Sequence, residues 1–130
     1  MSGKNFTVAA VESQNTVRFG FPYEGEQRAT LTIREKHPRY GTNVMLSIEA
    51  GQFLCHTDDC DVLVKFDDRA PKKYEASEPT DNSSTMLFLD AESTFISQLR
   101  QAKTVTIEAT FYQEGIREFK FDAAGFAKLK

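Results

Sequence analysis

The chain has 130 residues, 40% of them apolar and 27% charged, with a net charge of −3. That length and composition suit one domain, residues 1–130, with enough apolar side chains for a core. The charge balance excludes an electrostatic footprint for nucleic acid, and no apolar stretch reaches the ~18 residues that cross a bilayer.

The first residues, "MSGKNF", carry no hydrophobic segment of a signal peptide. Such a start fits either a native cytosolic protein or one whose leader has been removed. Period-two alternation then dominates the chain, the mark of half-buried strands. "FTVAAVE" (6–12) and "TVRFGF" (16–21) read as strands, the second turning Val17, Phe19 and Phe21 inward. "RATLTIRE" places Ala29, Leu31 and Ile33 on one face, and "NVMLSIEA" does the same with Val44, Leu46, Ile48 and Ala50. Pairing Leu31 with Ile48 and Ile33 with Leu46 centres the connection on "HPRYGT", whose Pro and Gly are turn residues.

"CDVLVKF" turns Val62, Val64 and Phe66 inward. "ASEPTDNSS" (76–84) is the most loop-like stretch. "TMLFLD" (85–90) is apolar with weak alternation, as expected of a strand covered on both sides. In "DAESTFISQLRQAK" the spacing of Phe95, Ile96, Leu99 and Ala102 predicts one helix over about 91–102, with Asp90 as its N-cap. "TVTIEATFY" contributes Val105, Ile107, Ala109 and Phe111, and "REFKFD" contributes Phe119 and Phe121. Setting Phe111 opposite Phe119 and Ala109 opposite Phe121 gives a hairpin whose loop centres on Glu114-Gly115-Ile116. "FDAAGFAKL" is a candidate short C-terminal helix capped by Asp122. Together these predict a mainly β fold: an antiparallel β-sandwich or flattened barrel of about seven to nine strands with one α-helix.

Both cysteines lie in "FLCHTDDCDVLVKF" (53–66). A β-bulge at Gly51-Gln52 would let Phe53 face Val62, Ala50 face Val64 and Ile48 face Phe66. Cys55 and Cys60 would then oppose each other across the loop "HTDD", close enough for a disulfide worth about 2 kcal/mol. Two rivals are less well supported. Redox motifs use C-x-x-C at a helix N-terminus, and this spacing is C-x4-C between strands. Zinc held by Cys55, His56, Asp58, Asp59 and Cys60 would need four convergent ligands, and no second cluster exists to help. Free thiols in a cytosolic protein are the remaining alternative. An even cysteine count at short spacing points to an oxidising compartment.

No nucleophile elbow, phosphate loop, dinucleotide glycine pattern or His-Glu zinc motif is present, so no catalytic residue, metal or cofactor is assigned. His37 and His56 read as solvated turn residues, and the Asp pairs at 58–59 and 67–68 lack calcium-loop spacing. The candidate binding surface is Tyr23, Tyr40, His56 and Tyr112, with Phe21 a further turn aromatic. Edge strands offer a second route to a partner, by strand addition.

The order of features carries a resemblance. Cys55 and Cys60 are followed by Val62, Val64, Phe66 and Asp67. After these come the helical Phe95, Ile96, Leu99 and Ala102, and then Phe119, Phe121, Asp122, Gly125 and Phe126. Over about residues 44–128 this resembles uncharacterised bacterial periplasmic proteins and lipoproteins. It is also similar to the invasion-associated locus B group and to an accessory protein of type VI secretion. The resemblance implies an exported bacterial β-sandwich with a structural disulfide, periplasmic or anchored to the outer membrane by a lipid outside this chain. It implies a binding or accessory role, which suits a non-enzymatic protein acting on another envelope protein or component; the charge balance already sets nucleic acid aside. The alternatives are a cytoplasmic location, a small metal-dependent hydrolase using the 55–60 loop, and a barrel holding an apolar small ligand.

Overall fold

A computed structural model describes residues 6–20, 25–55, 60–79 and 83–126. Among them ten strands, one α-helix and a closing 3-10 turn form. The strands are β1 (Thr7–Glu12), β2 (Val17–Phe19), β3 (Gly25–Gln27), β4 (Ala29–His37), β5 (Gly41–Ile48), β6 (Asp61–Phe66), β7 (Lys72–Ser77), β8 (Met86–Leu89), β9 (Thr104–Phe111) and β10 (Gly115–Asp122). The helix α1 spans Glu92–Arg100, and the 3-10 turn spans Ala123–Phe126. Eight strands form one antiparallel sheet in the order β1-β4-β5-β8-β7-β6-β9-β10, and β2 and β3 form a separate ribbon.

The long sheet is hinged. Among the described residues β7 and β8 pair at Ala76–Leu89 and Ser77–Phe88, with one more bond from the Asp90 amide to the Glu75 carbonyl. Two halves, β1-β4-β5-β8 and β7-β6-β9-β10, therefore fold around one core as a flattened barrel. The seam between β1 and β10 is closed by the residues that follow β1. The Gln14 amide donates to the Lys120 carbonyl at 2.7 Å. The Asn15 side chain donates to the Glu118 carbonyl at 2.9 Å, and its Oδ1 accepts from the Lys120 amide at 2.8 Å. Asn15 thus occupies the place of a neighbouring strand and satisfies part of an open sheet edge. The 3-10 turn covers β1 closely enough that a Cβ on Gly125 would lie 2.4 Å from a Val11 methyl.

The inward faces follow the alternation. Ala29, Leu31, Ile33, Val44, Leu46, Ile48, Val62, Val64, Phe66, Val105, Ile107, Ala109, Phe111, Phe119 and Phe121 are all buried. Phe111 is the hub of an aromatic cluster, with ring centroids 5.0 Å from Phe19, 4.7 Å from Phe53 and 6.0 Å from Phe119. From α1, Phe95 packs edge-on against Phe66 at 5.3 Å and Tyr74 at 5.5 Å.

The registers differ from the sequence expectation while the faces do not. Leu31 pairs with Leu46 and Ile33 with Val44. A bulge between Arg34 and His37, with Lys36 at φ 63°, tightens the turn to Pro38-Arg39-Tyr40. The His37 Nδ1 accepts from the amides of Arg39 (3.0 Å) and Tyr40 (3.1 Å), so the imidazole closes that turn. In the last hairpin Phe111 faces Gly115, Ile107 faces Phe119 and Val105 faces Phe121. Its loop is Tyr112-Gln113-Glu114, with positive φ at Gln113 and Gly115. β8 is covered on one side: Leu87 and Leu89 are buried, whereas Met86 and Phe88 are half-buried. Asp90 does not cap α1. Ala91 holds that place in a left-handed conformation without a side-chain hydrogen bond. Asp122 does accept from the Ala124 amide at 3.0 Å, heading a 3-10 turn over 123–126.

Two polar side chains give measurable expectations. Asp67 follows β6 at φ 54°. Its Oδ1 accepts from the amides of Thr104 (3.0 Å) and Lys103 (2.9 Å), tying the end of β6 to the start of β9. Those two backbone donors, Thr104 first, hold the carboxyl below the usual Asp range. A depressed folded pKa means the contribution is full above the unfolded value of about 4. It is lost as pH falls through the lower folded value. The melting-temperature gap between wild type and Asp67→Asn is therefore expected to be widest near neutrality and to close below about pH 4. A gap independent of pH would refute this.

Tyr74 is buried, and among the described residues its hydroxyl has no hydrogen-bond partner. Burial also pushes the phenol above its usual pKa. Tyr74→Phe removes an orphaned hydroxyl and keeps the ring against Phe95. It is expected to raise stability by about 1 kcal/mol in denaturant unfolding. A loss of stability would mean that the hydroxyl has a partner in solution.

Candidate functional site

The Cys55 and Cys60 sulfurs are bonded at 1.98 Å, with Cα atoms 4.8 Å apart, and both residues are buried. Their setting is a crossover and not the expected hairpin. β5 pairs with β4 and β8, while β6 pairs with β7 and β9. Between them the chain leaves one half of the barrel and runs along the end of the other. Phe53 bridges Phe111, the Leu54 amide donates to the Thr110 carbonyl at 2.9 Å, and the Tyr112 amide donates to the Gln52 carbonyl at 2.8 Å. The expected partners are replaced: Phe53 meets Phe111 of β9 in place of Val62, and Ile48 pairs with Ala29 of β4 in place of Phe66. Gly51-Gln52 is the bend that launches this crossover, with Gly51 at φ 119°. The disulfide pins the end of the crossover just before β6. His56 and the rest of "HTDD" lie outside the described residues.

The expected binding residues do not share one surface. Tyr40 is 53% exposed on the β4–β5 turn, and Tyr112 is 51% exposed on the β9–β10 turn. Tyr112 sits beside Gln52, past the end of β5 opposite to Tyr40. Tyr23 and Phe21 lie outside the described residues.

Around Tyr40 the structure gathers side chains that the sequence reading left apart. The His37 ring lies 4.8 Å from Tyr40 and 4.5 Å from Phe6, forming a row of three rings. The guanidinium of Arg34 lies 4.8 Å, and that of Arg39 5.4 Å, from the Tyr40 centroid. Arg34 is steadied by donating from Nε (2.9 Å) and Nη2 (2.6 Å) to Asn43 Oδ1. Glu35, the acid of this turn region, is neutralised by Arg100 at 2.9 Å. Lys36 and Arg39 make no ion pair among the described residues. Phe6, just before β1, and Val8, on its outward face, are also exposed, and Val8 pairs with Arg34. Outward apolar parity on β1 was the signal available in the sequence, but its meaning depends on the β1–β4 pairing.

The other end of the same strands is acidic. Glu12, Glu26 and Glu49 line an open cleft of about 530 Å³ with Arg28, Thr30 and Ser47. Arg28 is committed to the seam, donating to the carbonyls of Ser13 (2.6 Å) and Gln14 (3.3 Å). Among the described residues no three His, Cys, Asp or Glu side chains gather as a metal site, and no helix is long and apolar enough to cross a membrane. Comparison with family models, with curated proteins and with solved structures found no match to this chain.

Proposed function

We propose that this chain is a non-enzymatic protein of the bacterial cell envelope, periplasmic or lipid-anchored, that acts by binding a partner. The observation that carries this reading is the buried Cys55–Cys60 disulfide. Disulfides persist in oxidising compartments and are rare in the cytosol. Bonded to each other, the two sulfurs are spent as thiolate ligands and nucleophiles, which weighs against chemistry at the 55–60 loop. The core is filled by Phe19, Phe53, Phe95, Phe111, Phe119 and Phe121, which favours binding at the surface over an apolar ligand inside. The exposed row at Tyr40 supplies aromatic and cationic groups suited to an interface. The resemblance to exported envelope proteins is consistent with this.

Protein recovered from an oxidising compartment is expected to show no thiol on titration under denaturing conditions. Two titratable thiols would sink the reading. Reduction of the intact protein should cost about 2 kcal/mol, because the small ring constrains the unfolded chain only modestly. Stoichiometric zinc in protein purified without chelator, lost on His56→Ala, would favour the hydrolase instead.

A further inference from the structure

We propose that the β4–β5 turn is a docking surface for an anionic phospholipid membrane, with Tyr40 at the headgroup layer and Lys36 and Arg39 holding lipid phosphates. This deepens the envelope reading and rests on it. Three observations carry it. Exposed Tyr40 and Phe6, linked by the His37 ring, give aromatic area of the kind that sits at a membrane interface. Lys36 and Arg39 are cations without an acidic partner among the described residues, and the Glu35 charge beside them is already met by Arg100. Unpaired cations of this kind are attracted to an anionic leaflet within a Debye length.

The third observation is polarity along the molecule. β4 has nine residues, roughly 30 Å of strand. The cationic turn is at its end, while Glu12 and Glu49, without a cationic partner among the described residues, line the cleft by its start, where Glu12 pairs with Thr30 and the neighbouring Glu26 is met by Arg18 at 3.4 Å. A protein of net charge −3 is repelled by an anionic surface unless it presents its basic end. This separation orients it with the Tyr40 turn toward the membrane.

Other polyanions fit less well. Stacking of nucleic-acid bases needs an open ring face. The Tyr40 ring is already met by His37, Arg34 and Arg39. An exposed three-residue turn also suits a deformable headgroup layer better than the rigid groove of a protein partner.

The test is co-sedimentation of the full chain with vesicles of equal phosphatidylglycerol and phosphatidylcholine, and with phosphatidylcholine alone. Binding at 50 mM salt is expected to be at least tenfold tighter to the anionic vesicles. Lys36→Glu/Arg39→Glu should abolish that preference, and Arg39→Glu alone should give an intermediate loss. Tyr40→Ser should weaken binding several-fold while leaving its salt dependence in place. Unchanged melting temperatures would show that the variants are folded. Equal binding to both vesicles, or anionic binding untouched by the double variant, would overturn the proposal. So would binding of an oligothymidine or an acidic peptide through these residues with no vesicle binding. Vesicle failure with an oxidised cysteine pair removes this inference alone. Two free thiols would instead remove the envelope reading and leave the vesicle result standing.

Discussion

Gly51→Ala is expected to destabilise the protein by about 3–5 kcal/mol, combining backbone strain with overpacking. Gly51 sits at φ 119°, a conformation that residues with a Cβ rarely adopt. The added Cβ would lie 2.5 Å from Phe19 Cε2 and 3.1 Å from its Cδ2. Neither atom can retreat freely, because Phe19 is buried and its ring packs on Phe111 5.0 Å away. The two penalties arise at the bend that sends the chain from β5 across to β9. Relief by moving the bend would break the Leu54–Thr110 and Tyr112–Gln52 hydrogen bonds. Urea unfolding should show a lower midpoint with an unchanged slope. Because much of the clash is with Phe19, Gly51→Ala combined with Phe19→Leu should cost less than the sum of the single changes. Full additivity, or a near-neutral Gly51→Ala, would show that this bend is not constrained as described.

That bend also marks where sequence reasoning reached its limit. Alternation identified the inward face of each long strand, because side chains two apart share a face whatever the partner strand does. For the same reason it is blind to shifts of two or four residues. Both registers moved by such even steps: Leu31 pairs with Leu46 in place of Ile48, and Phe119 with Ile107 in place of Phe111. The decisive terms were local to the turns, namely the His37 imidazole accepting two amides and positive φ at Lys36 and Gln113. None of these changes the hydrophobic pattern. The cysteine segment misled differently. Its parity fitted a local hairpin, whereas Phe53 pairs with the distant Phe111. The disulfide was legible because it needs only two nearby cysteines. Tyr40 was legible as an exposed turn aromatic, but its neighbours were not. Phe6 reaches the His37 ring beside it through β1–β4 pairing, and Arg34 and Arg39 reach it through the tightened turn.

Phe111→Ala is expected to cost about 3–5 kcal/mol, the range for emptying a large aromatic site. Marginal stability makes that a large share of what holds a domain of this size, so Phe111→Leu is the more tractable variant. Phe111 is 1% exposed, and its ring touches Phe19 from the β2 ribbon, Phe53 from the crossover and Phe119 from β10. Those partners come from separate segments, and no single neighbour can swing in to fill the space without leaving its own. Its backbone also carries the bridge to Phe53, so the loss should be felt unevenly. In Phe111→Leu, hydrogen exchange should accelerate first at the amides of Leu54 and Tyr112, which hold the crossover to β9. The amides pairing β4 with β5 lie in the other half of the barrel and should retain protection until global unfolding. Equal acceleration everywhere would mean that the crossover opens only with the whole fold. In the uneven case the disulfide has a clear mechanical purpose. It holds the end of a crossover that the Phe53–Phe111 bridge and two backbone hydrogen bonds tie to β9.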